Sequence, residues 1–446
     1  MNQITRLFWA LLFTATSAHL SAQAPLSLEQ AIKQGLDNSF TIKIEETDLA
    51  IAQNRNDWAI AGKYPTLDVN LSNNNGYTNI QNPVSFFTEL NSFSYGLTPS
   101  MSANLVLFDG YRVRVTKQQL EQTEILEQGN VAIAVENTIQ NIILSYNQAL
   151  LQQEQLQVFG EVLELSRDRV RYQEVRKEFG QAGKFDEIQS KDAFLNDSTN
   201  YILQETNLEN ALRTLNQAMN VENLNQRYTL TDPLQVPLEQ YDLPALQERL
   251  LANNRNLQNA FVSRELANLN TQLQETGNYP RVTVGGSGSY NWNLSNGEGT
   301  TLQGESASID AVIAKTLNFG INVTASYRIL DWGVRNKNLQ TAKLQEINTQ
   351  YTIDDLKRNL NLQLQNTYAT YLNQKRVVTL TEELVTNARQ NIGIAEERFK
   401  GGLINSFDYR AVQLAFINAE QSRLAAIFNL KSTETELIRL TGGLVR

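Results

Sequence analysis

Cysteine is absent from this chain of 446 residues, and its only histidine is His19. The lack of cysteine excludes disulfide bonds and a lipid anchor on an N-terminal cysteine. Because His19 lies in the N-terminal segment described below, the rest of the chain also lacks Ser-His-Asp triads, cysteine nucleophiles, His–Cys zinc sites and HExxH motifs. We therefore expect no metal site, no cofactor and no enzyme activity.

A basic surface is also missing. The chain has 38 Lys and Arg residues against 47 Asp and Glu residues, a net charge of −9, and no block rich in Lys or Arg. Nucleic-acid binding depends on the neutralisation of phosphates by such residues, so we expect none.

Methionine is scarce, with three residues in the whole chain. This disfavours a dedicated copper or silver path, because thioethers are soft ligands for such metals.

The N-terminal segment, residues 1–22, has the pattern of a secretory signal peptide. It contains Arg6, an apolar stretch from Leu7 to about Ala15, and Ala22 before the expected cleavage site. The mature protein is therefore expected to leave the cytoplasm. Beyond this segment, no apolar stretch approaches the ~20 residues that a membrane-spanning helix needs. A membrane role would depend on strands.

The sequence is a tandem repeat. The segment GKYPTLDV (62–69) recurs as GNYPRVTV (277–284) at an offset of 215 residues, and further along the offset becomes 222 residues. Pairs at the second offset are Asp109 with Asp331, Tyr146 with Tyr368, Phe185 with Phe407, and Asp186 with Asp408. Ordered matches of this kind indicate a duplication. We assign 23–220 to the first repeat, 221–243 to a connector and 244–446 to the second repeat.

Four segments alternate apolar and polar residues, which predicts strands with one apolar and one polar face. The strands are expected at about 66–73, 96–108, 281–294 and 317–330, with long loops at 73–95 and 295–316 that are rich in Asn, Ser, Gly and Thr. Two interpretations are open. The strands could form a soluble antiparallel sheet with one face on a core, or part of a transmembrane barrel.

Three features favour the barrel. The polar set consists of small neutral residues, aromatic residues cluster near the strand ends, and the signal peptide provides a route out of the cytoplasm. Four strands are too few to close a barrel, since ~8 is the usual minimum, and an open sheet edge is not tolerated in lipid. The barrel would therefore be shared among protomers, and three copies would give twelve strands.

Two long helices, at about 111–178 and 334–400, are predicted from a second period. In the second repeat, apolar residues recur every seven positions at Leu364, Tyr371, Val378, Val385, Ile392 and Phe399. A sustained seven-residue repeat indicates helices that supercoil against their neighbours. At the rise of an α-helix, ~67 residues span ~100 Å, which fits a projecting tube better than a compact domain. Shorter return helices are expected at about 187–219 and 407–441.

Each long helix is predicted to end in a turn, at 179–185 and at 401–406. Glycine interrupts the helical pattern at Gly180, Gly183, Gly401 and Gly402. Asp186 and Asp408 then stand near the N-terminus of the return helix, where carboxylates are favoured. For both aspartates, helix capping and the lining of a pore are open interpretations that do not exclude each other.

This combination resembles the TolC family of bacterial outer membrane efflux proteins. The residues that carry the resemblance are SLEQAI (27–32), AGKYPTL (61–67) with TGNYPRV (276–282), LFDGYR (107–112) with ILDWGVR (329–335), and the two turns. The resemblance implies an α+β membrane protein. It would be a trimer whose twelve-stranded outer-membrane β-barrel, with four strands from each protomer, is continuous with a coiled-coil α-helical barrel in the periplasm. The connector would lie in the equatorial region of that barrel.

The resemblance also implies partners and site residues. The expected partners are the other copies of a homotrimer, a periplasmic adaptor (membrane fusion) protein, an inner-membrane transporter of RND or ABC type, and outer-membrane lipid. Asp186 and Asp408 would line the periplasmic aperture. The adaptor-docking turns would include Arg176, Gly180, Gly183, Arg398, Gly401, Gly402 and Leu403. The strand-to-helix corners would be formed by Phe108, Asp109, Asp331, Trp332 and Gly333.

Four positions depart from the family pattern. A second aspartate, one turn after Asp408, is replaced by Ala411. A latching arginine is replaced by Ile404 and a hydrogen-bonded tyrosine by Phe399, while Tyr111 stands in the place of a corner glycine. We therefore expect a closed tip that is held more by packing and less by ion pairs than in that pattern.

The favoured function is a passive export duct for small toxic compounds. Protein or peptide secretion of type I, or metal-ion efflux, would use the same architecture. A soluble periplasmic coiled-coil scaffold would explain the seven-residue repeat but not the alternating strands. A carboxylate enzyme would need two acids that converge in one cleft, whereas Asp186 and Asp408 lie at separate helix turns.

Overall fold

The computed structural model describes residues 24–82, 86–235 and 239–444. The expected signal peptide lies outside the described residues. The chain divides into two compact units. The sheet unit comprises Thr47–Gly129 and Asn259–Asp354, and the helical unit comprises the rest of the described chain.

Helices and strands of very different length make up the described chain. The helices are α1 (Leu28–Asn38), α2 (Phe40–Arg55), α3 (Arg112–Glu178), α4 (Lys184–Ala218), α5 (Leu243–Asn253), α6 (Arg255–Glu275), α7 (Val334–Lys400) and α8 (Ser406–Leu440). The strands are β1 (Ala24–Leu26), β2 (Thr66–Gln81), β3 (Phe87–Phe108), β4 (Tyr228–Leu230), β5 (Arg281–Thr301) and β6 (Ser306–Ser326). The long helices α3 and α7 have 67 residues each and contribute residues to both units.

The sheet unit contains one antiparallel sheet in the order β2-β3-β5-β6, so that β2 and β6 are its edge strands. The strands are longer than the sequence predicted. The expectation of long loops at 73–95 and 295–316 was wrong, because the ladder continues through most of both segments. Their Asn, Ser, Gly and Thr residues lack apolar alternation, but backbone pairing does not require it. Strand β6 ends at Ser326, short of the predicted 330.

The two faces of the sheet differ in polarity. On one face, Val284 of β5 pairs with Val323 of β6, and Ile321 leaves 85% of its surface exposed. On the other face, Asn104 and Asn322 lie close to Gly285, where a Cβ atom would come within 2.6 Å of the Asn322 Oδ1 atom. The sheet therefore presents an exposed apolar face and a face of amides and hydroxyls.

The core of the helical unit is formed by α3, α7 and α8. Val162 of α3 packs with Val385 and Ile392 of α7, and with Phe416 and Ile417 of α8. The two α7 residues belong to the seven-residue repeat, so the apolar stripe of this helix faces the core.

The connector is attached to the helical unit by the short parallel pair β1 and β4 and by a buried tyrosine. The Tyr146 hydroxyl lies 2.6 Å from Asp232 Oδ2 and 2.9 Å from the Leu26 carbonyl oxygen. None of the helices in the described ranges combines the length and the hydropathy needed to cross a membrane.

Candidate functional site: connecting turns and strand-to-helix corners

The two connecting turns, 179–183 between α3 and α4 and 401–405 between α7 and α8, begin with the same hydrogen-bond pattern. Gly180 and Gly402 both have a φ of +70°. In each turn the residue after the glycine donates its N–H across the helix end at 2.8 Å, and the glycine donates its own at 3.0 Å. This is a Schellman motif, which needs a left-handed residue that glycine adopts at low cost.

A network of ion pairs stabilises the first connecting turn. The Glu187 side chain is only 7% exposed, and it lies 2.6 Å from Lys177, 2.9 Å from Lys184 and 3.0 Å from Lys191. Hydrogen bonds from these three lysines hold the pKa of Glu187 well below its usual range. Lys191 also pairs with Glu174 at 3.0 Å. Charged groups therefore join the end of α3 to the start of α4.

Aromatic packing stabilises the second connecting turn. Phe399 of α7 and Tyr409 of α8 are buried, and their rings stack with centroids 4.9 Å apart and planes 9° apart. Tyr172 of α3 packs against them, with its ring centroid 5.5 Å from that of Phe399. Burial raises the pKa of the Tyr409 hydroxyl to about 12. The second turn is thus stabilised by aromatic packing, whereas the first turn is stabilised by ion pairs.

The two predicted aspartates occupy the same position in their return helices but make different contacts. Asp186 Oδ2 accepts a hydrogen bond from the Gly183 N–H at 3.2 Å. In α8 the cap is Asn405, whose Oδ1 atom accepts the N–H groups of Phe407 and Asp408 at 2.9 Å. Asp408 itself is exposed and forms no ion pair with any residue that the structure describes.

Asp408 lines a groove of about 570 Å³ between α7 and α8. The floor of the groove consists largely of small and aliphatic side chains: Leu384, Ala388, Ile394, Ala395, Ile404, Ala411, Val412 and Ala415. Arg398 lines the same groove, and it too is without an ion pair among the described residues. The groove therefore presents one charge of each sign beside an apolar floor.

The predicted arginines of the two turns, Arg176 and Arg398, also make different contacts. Arg176 donates from Nη2 to the Gln181 carbonyl at 3.0 Å, and its guanidinium lies 5.8 Å from the centre of the Tyr172 ring. It is therefore tied to its own turn, whereas Arg398 is exposed. Because Arg398 is exposed and has no ion pair among the described residues, it is accessible to another molecule.

Large apolar side chains are exposed at both turns. Phe185 and Phe407, which are equivalent in the two repeats, contact each other with ring centroids 5.9 Å apart. They remain 65% and 57% exposed, and Leu403 is 78% exposed. These three residues form what we call the exposed apolar patch.

The two strand-to-helix corners each contain two consecutive residues with positive φ. In the first corner these are Gly110 (71°) and Tyr111 (69°), and in the second they are Trp332 (54°) and Gly333 (80°). Glycine and the aromatic residue thus exchange places between the repeats. An aromatic residue in the left-handed region is strained, so the surroundings must enforce this conformation.

Close packing enforces the first corner. A Cβ atom on Gly110 would lie 2.6 Å from the Thr276 carbonyl oxygen, so only glycine fits. The rings of Phe108, Tyr111 and Tyr279 form an edge-to-face cluster with centroids 5.6–6.4 Å apart. The corner therefore rests on the YP segment of the second repeat.

In the second corner, an ion pair stabilises the backbone conformation. Asp331 Oδ2 lies 2.7 Å from Arg335 Nε, and Asp331 Oδ1 accepts the Gly333 N–H at 3.0 Å. The hydrogen bond from Arg335 lowers the pKa of Asp331. Trp332 is 85% exposed. Among the residues that the structure describes, Asp109 has no such partner, and Val113 occupies the position equivalent to Arg335.

Two sets of charged residues near the turns were not predicted from the sequence. One is the ion-pair network of Glu187. The other is a buried pair between α4 and α8, in which Arg410 makes two bonds of 2.7 Å to the carboxylate of Asp197. A signal was available in the repeat itself, because the positions equivalent to Glu187, Asp197 and Arg410 are held by uncharged residues in the other half. Of the two turns, the first is stabilised by ion pairs and the second by aromatic packing.

Comparison with known proteins finds a family match within the second repeat. Residues 246–443 match the family model described as "Outer membrane efflux protein". In sequence, the chain matches none of the curated proteins.

Several solved structures share the fold over nearly the whole chain. The CmeC outer membrane channel of Campylobacter jejuni has a TM-score of 0.74 and 17% identity, with 93% of this chain and 85% of that chain covered. The outer membrane protein VceC of Vibrio cholerae has a TM-score of 0.74 and 15% identity, with coverage of 93% and 96%. The MtrE outer membrane channel of Neisseria gonorrhoeae, in its open state, has a TM-score of 0.69 and 18% identity, with coverage of 94% and 89%.

The family model confirms the resemblance to the TolC family of outer membrane efflux proteins, and the solved structures confirm the TolC-like α+β fold. The family match and the solved outer membrane channels together confirm the expected location in the outer membrane. Residues 246–443 thus match an outer membrane efflux protein family, and the described chain has a TolC-like fold.

Proposed function

We propose that this protein is the outer-membrane exit duct of a tripartite efflux system and that it conducts small toxic compounds passively to the exterior. The observation that carries the proposal is the pair of edge strands β2 and β6 in a sheet with an exposed apolar face. In a membrane such edges must be paired, because lipid offers no hydrogen bonds to the backbone.

Three copies satisfy this requirement in the simplest way. If β2 of one protomer pairs with β6 of the next, three protomers close a barrel of twelve strands, and the apolar face contacts outer-membrane lipid. The face of amides and hydroxyls around Asn104 and Asn322 then lines a wet lumen. The homotrimer is therefore part of the proposal.

The duct would obtain its cargo from a periplasmic adaptor and an inner-membrane transporter of RND or ABC type. The connecting turns support an adaptor contact, because they carry the exposed apolar patch of Phe185, Leu403 and Phe407 together with the accessible Arg398. The Leu403 N–H donates to the Arg398 carbonyl oxygen at 2.8 Å. Apolar anchors with a nearby arginine are typical of protein interfaces. Asp186 and Asp408 would line the aperture at the turns.

Two alternatives differ in testable ways. A type I secretion duct would use the same architecture for a protein or peptide. A soluble periplasmic scaffold would leave the apolar face of the sheet in water, which disfavours it.

Cysteine cross-linking tests the trimer, because the chain contains no cysteine of its own. Leu71→Cys in β2 is combined in turn with Leu317→Cys, Phe319→Cys or Ile321→Cys in β6. We expect one of these pairs to give a covalent trimer on non-reducing gels of outer membranes. Ser102→Cys with Ser287→Cys is the control, because these residues are partners within the sheet and form no intermolecular bond.

The cargo is tested by deletion of the protein. A loss of resistance to small toxic compounds with an unchanged set of secreted proteins supports efflux, and the reverse result supports type I secretion. Recovery of the mature protein in the soluble periplasm would exclude the channel.

A further inference from the structure

A buried arginine without a carboxylate partner lies among α3, α4 and α8. Arg169 is 3% exposed. Its terminal nitrogens make only two long contacts, 3.4 Å to Gln413 Oε1 and 3.5 Å to the Gln189 carbonyl oxygen. Its Nε atom has no hydrogen-bond partner among the described residues. A guanidinium has five donors in a planar fork, and here most of their capacity is unused.

The buried carboxylate of Asp197 nearby already has other partners. Asp197 accepts both 2.7 Å bonds from Arg410 and the hydroxyl of Ser166. Arg169 and Arg410 together therefore bring one more positive charge into this interior than Asp197 balances. Burial and the proximity of Arg410 lower the pKa of Arg169 to about 10. A buried charge without compensation is strongly unfavourable.

Two more carboxylates lie near Arg169, the exposed Asp168 and the half-buried Glu396, and each is paired with another cation. Asp168 and Glu396 line a small cavity of about 40 Å³ that also reaches Arg169 and Tyr409. Asp168 lies 3.6 Å from Arg171, and Glu396 lies 2.6 Å from Lys400. Asp168 is 70% exposed in its side chain, so water screens it from the interior.

Gln413, which contacts Arg169, also has a hydrogen-bond donor without a partner in the described part of the chain. The amide of Gln413, which contacts Arg169 through Oε1, has an Nε2 atom without a partner among the described residues, and Gln413 is completely buried. The unpartnered N–H groups of Arg169 and Gln413 therefore belong to side chains in contact. The small cavity reaches Arg169 but not Gln413. Its volume of about 40 Å³ is enough for a small guest beside Arg169, since one water needs roughly 10–15 Å³ on this scale.

The duplication shows that the fold does not require these polar groups. At an offset of 222 residues, Ser166, Gln173, Gln189 and Asp197 of the first repeat correspond to Ala388, Ala395, Ala411 and Ala419 of the second. Arg169 corresponds to Asn391. The same helix positions are thus built from alanine in one half and from a charged, hydrogen-bonding set in the other.

We propose that Arg169 and Gln413 bind a small monovalent inorganic anion, with chloride as the physiological candidate, inside the helical unit of each protomer. The anion neutralises the surplus positive charge and accepts the Arg169 Nε–H and Gln413 Nε2–H groups. It is an internal structural ligand and not cargo, because both side chains are buried within a single chain. A neighbouring protomer cannot supply the counter-charge for the same reason.

Bromide diffraction tests the site directly. Crystals of the full mature protein are soaked in sodium bromide, and anomalous density is measured at the bromine edge. We expect a peak within hydrogen-bond distance of Arg169 Nε in the wild type and no peak there in Arg169→Asn, which copies the second repeat. Density without an anomalous signal at this position would mean water and would overturn the proposal.

Anion-dependent stability provides the second test. Thermal unfolding of the full protein is compared in sodium chloride and in sodium gluconate at equal ionic strength. We expect chloride to raise the melting temperature of the wild type by about 1–2 °C, and we expect this difference to vanish in Arg169→Asn. Arg171→Met is the matched control, because this exposed arginine on the same helix should leave the difference intact. A chloride effect that persists in Arg169→Asn, or is absent from the wild type, would contradict an anion at Arg169.

Discussion

Lys177 and Glu187 form a 2.6 Å ion pair at the two positions where the second repeat stacks Phe399 on Tyr409. Both contacts join a long helix to its return helix, next to a turn of the same backbone design. One half thus has an ionic junction and the other an aromatic one. The two junctions should therefore respond differently to pH, to salt and to truncation.

The ionic junction predicts a pH response confined to the first turn. The lysines lower the pKa of Glu187 in the folded state, so its stabilising effect is present above the usual pKa of about 4.5. This effect is lost as the pH falls from there through the folded-state pKa. A spin label on Gln181→Cys should become more mobile at acidic pH. In Glu187→Gln the label should already be mobile at pH 7 and should respond less to pH. A label on the equivalent Leu403→Cys is the control, and an equal acid response at both turns would contradict the assignment.

The aromatic junction predicts a large effect of truncation. Phe399 is 4% exposed and belongs to a cluster with Tyr409 and Ala395. We expect Phe399→Ala to lower the free energy of unfolding by about 3 kcal/mol, because it removes buried area and leaves a cavity. Phe407→Ala, at an exposed ring on the same turn, should change it by less than about 0.5 kcal/mol. Chemical denaturation of both variants measures the difference, and equal losses would argue against the stack as the stabilising contact.

The buried pair of Asp197 and Arg410 predicts non-additive mutants. Arg410→Ile leaves the Asp197 carboxylate buried without its partner and should cost about 3–5 kcal/mol. The double variant Asp197→Ala with Arg410→Ile copies the uncharged residues at the equivalent positions, Ala419 in the second repeat and Ile188 in the first. It should recover most of the loss in the same denaturation experiment. A double variant as unstable as the sum of both single variants would mean that the two side chains do not act as a pair.

The first corner predicts a contrast between two glycines. Gly110→Ala and Gly333→Ala both place a side chain in the left-handed region, at a cost of about 1–2 kcal/mol. Only at Gly110 does the new Cβ atom meet the Thr276 carbonyl, whereas Gly333 faces open space. Overpacking should add about 1–3 kcal/mol at Gly110 alone. The yield of heat-resistant oligomer in outer membranes measures the effect, and equal yields would show that the corner can relax.

The sequence predicted the architecture because its two periods are long and regular. The seven-residue repeat that ends at Phe399 describes α7, and the alternation around Val323 describes the apolar face of β6. The strand residues within 73–95 and 295–316 were missed, because the apolar alternation gives way there to Asn, Ser and Gly while backbone pairing continues. The ionic junction, the buried pair and the surroundings of Arg169 were missed because they depend on helices distant in sequence. A charged residue opposite an uncharged one in the repeat alignment, as at Asp197 and Ala419, marked such places.

Asp408 carries the last prediction, which concerns conduction. Its carboxylate is exposed, forms no ion pair with a described residue and lines the α7–α8 groove together with Ala411. If this groove faces the aperture of the proposed trimer, Asp408→Ala should reduce the cation preference of single channels in planar bilayers. Ala411→Asp adds a carboxylate one turn further on the same helix and should increase that preference. Asp186→Ala should have the smaller effect of the two aspartate variants, because the Asp186 carboxylate already accepts the Gly183 N–H. Unchanged conductance and ion preference in Asp408→Ala would remove this residue from the aperture.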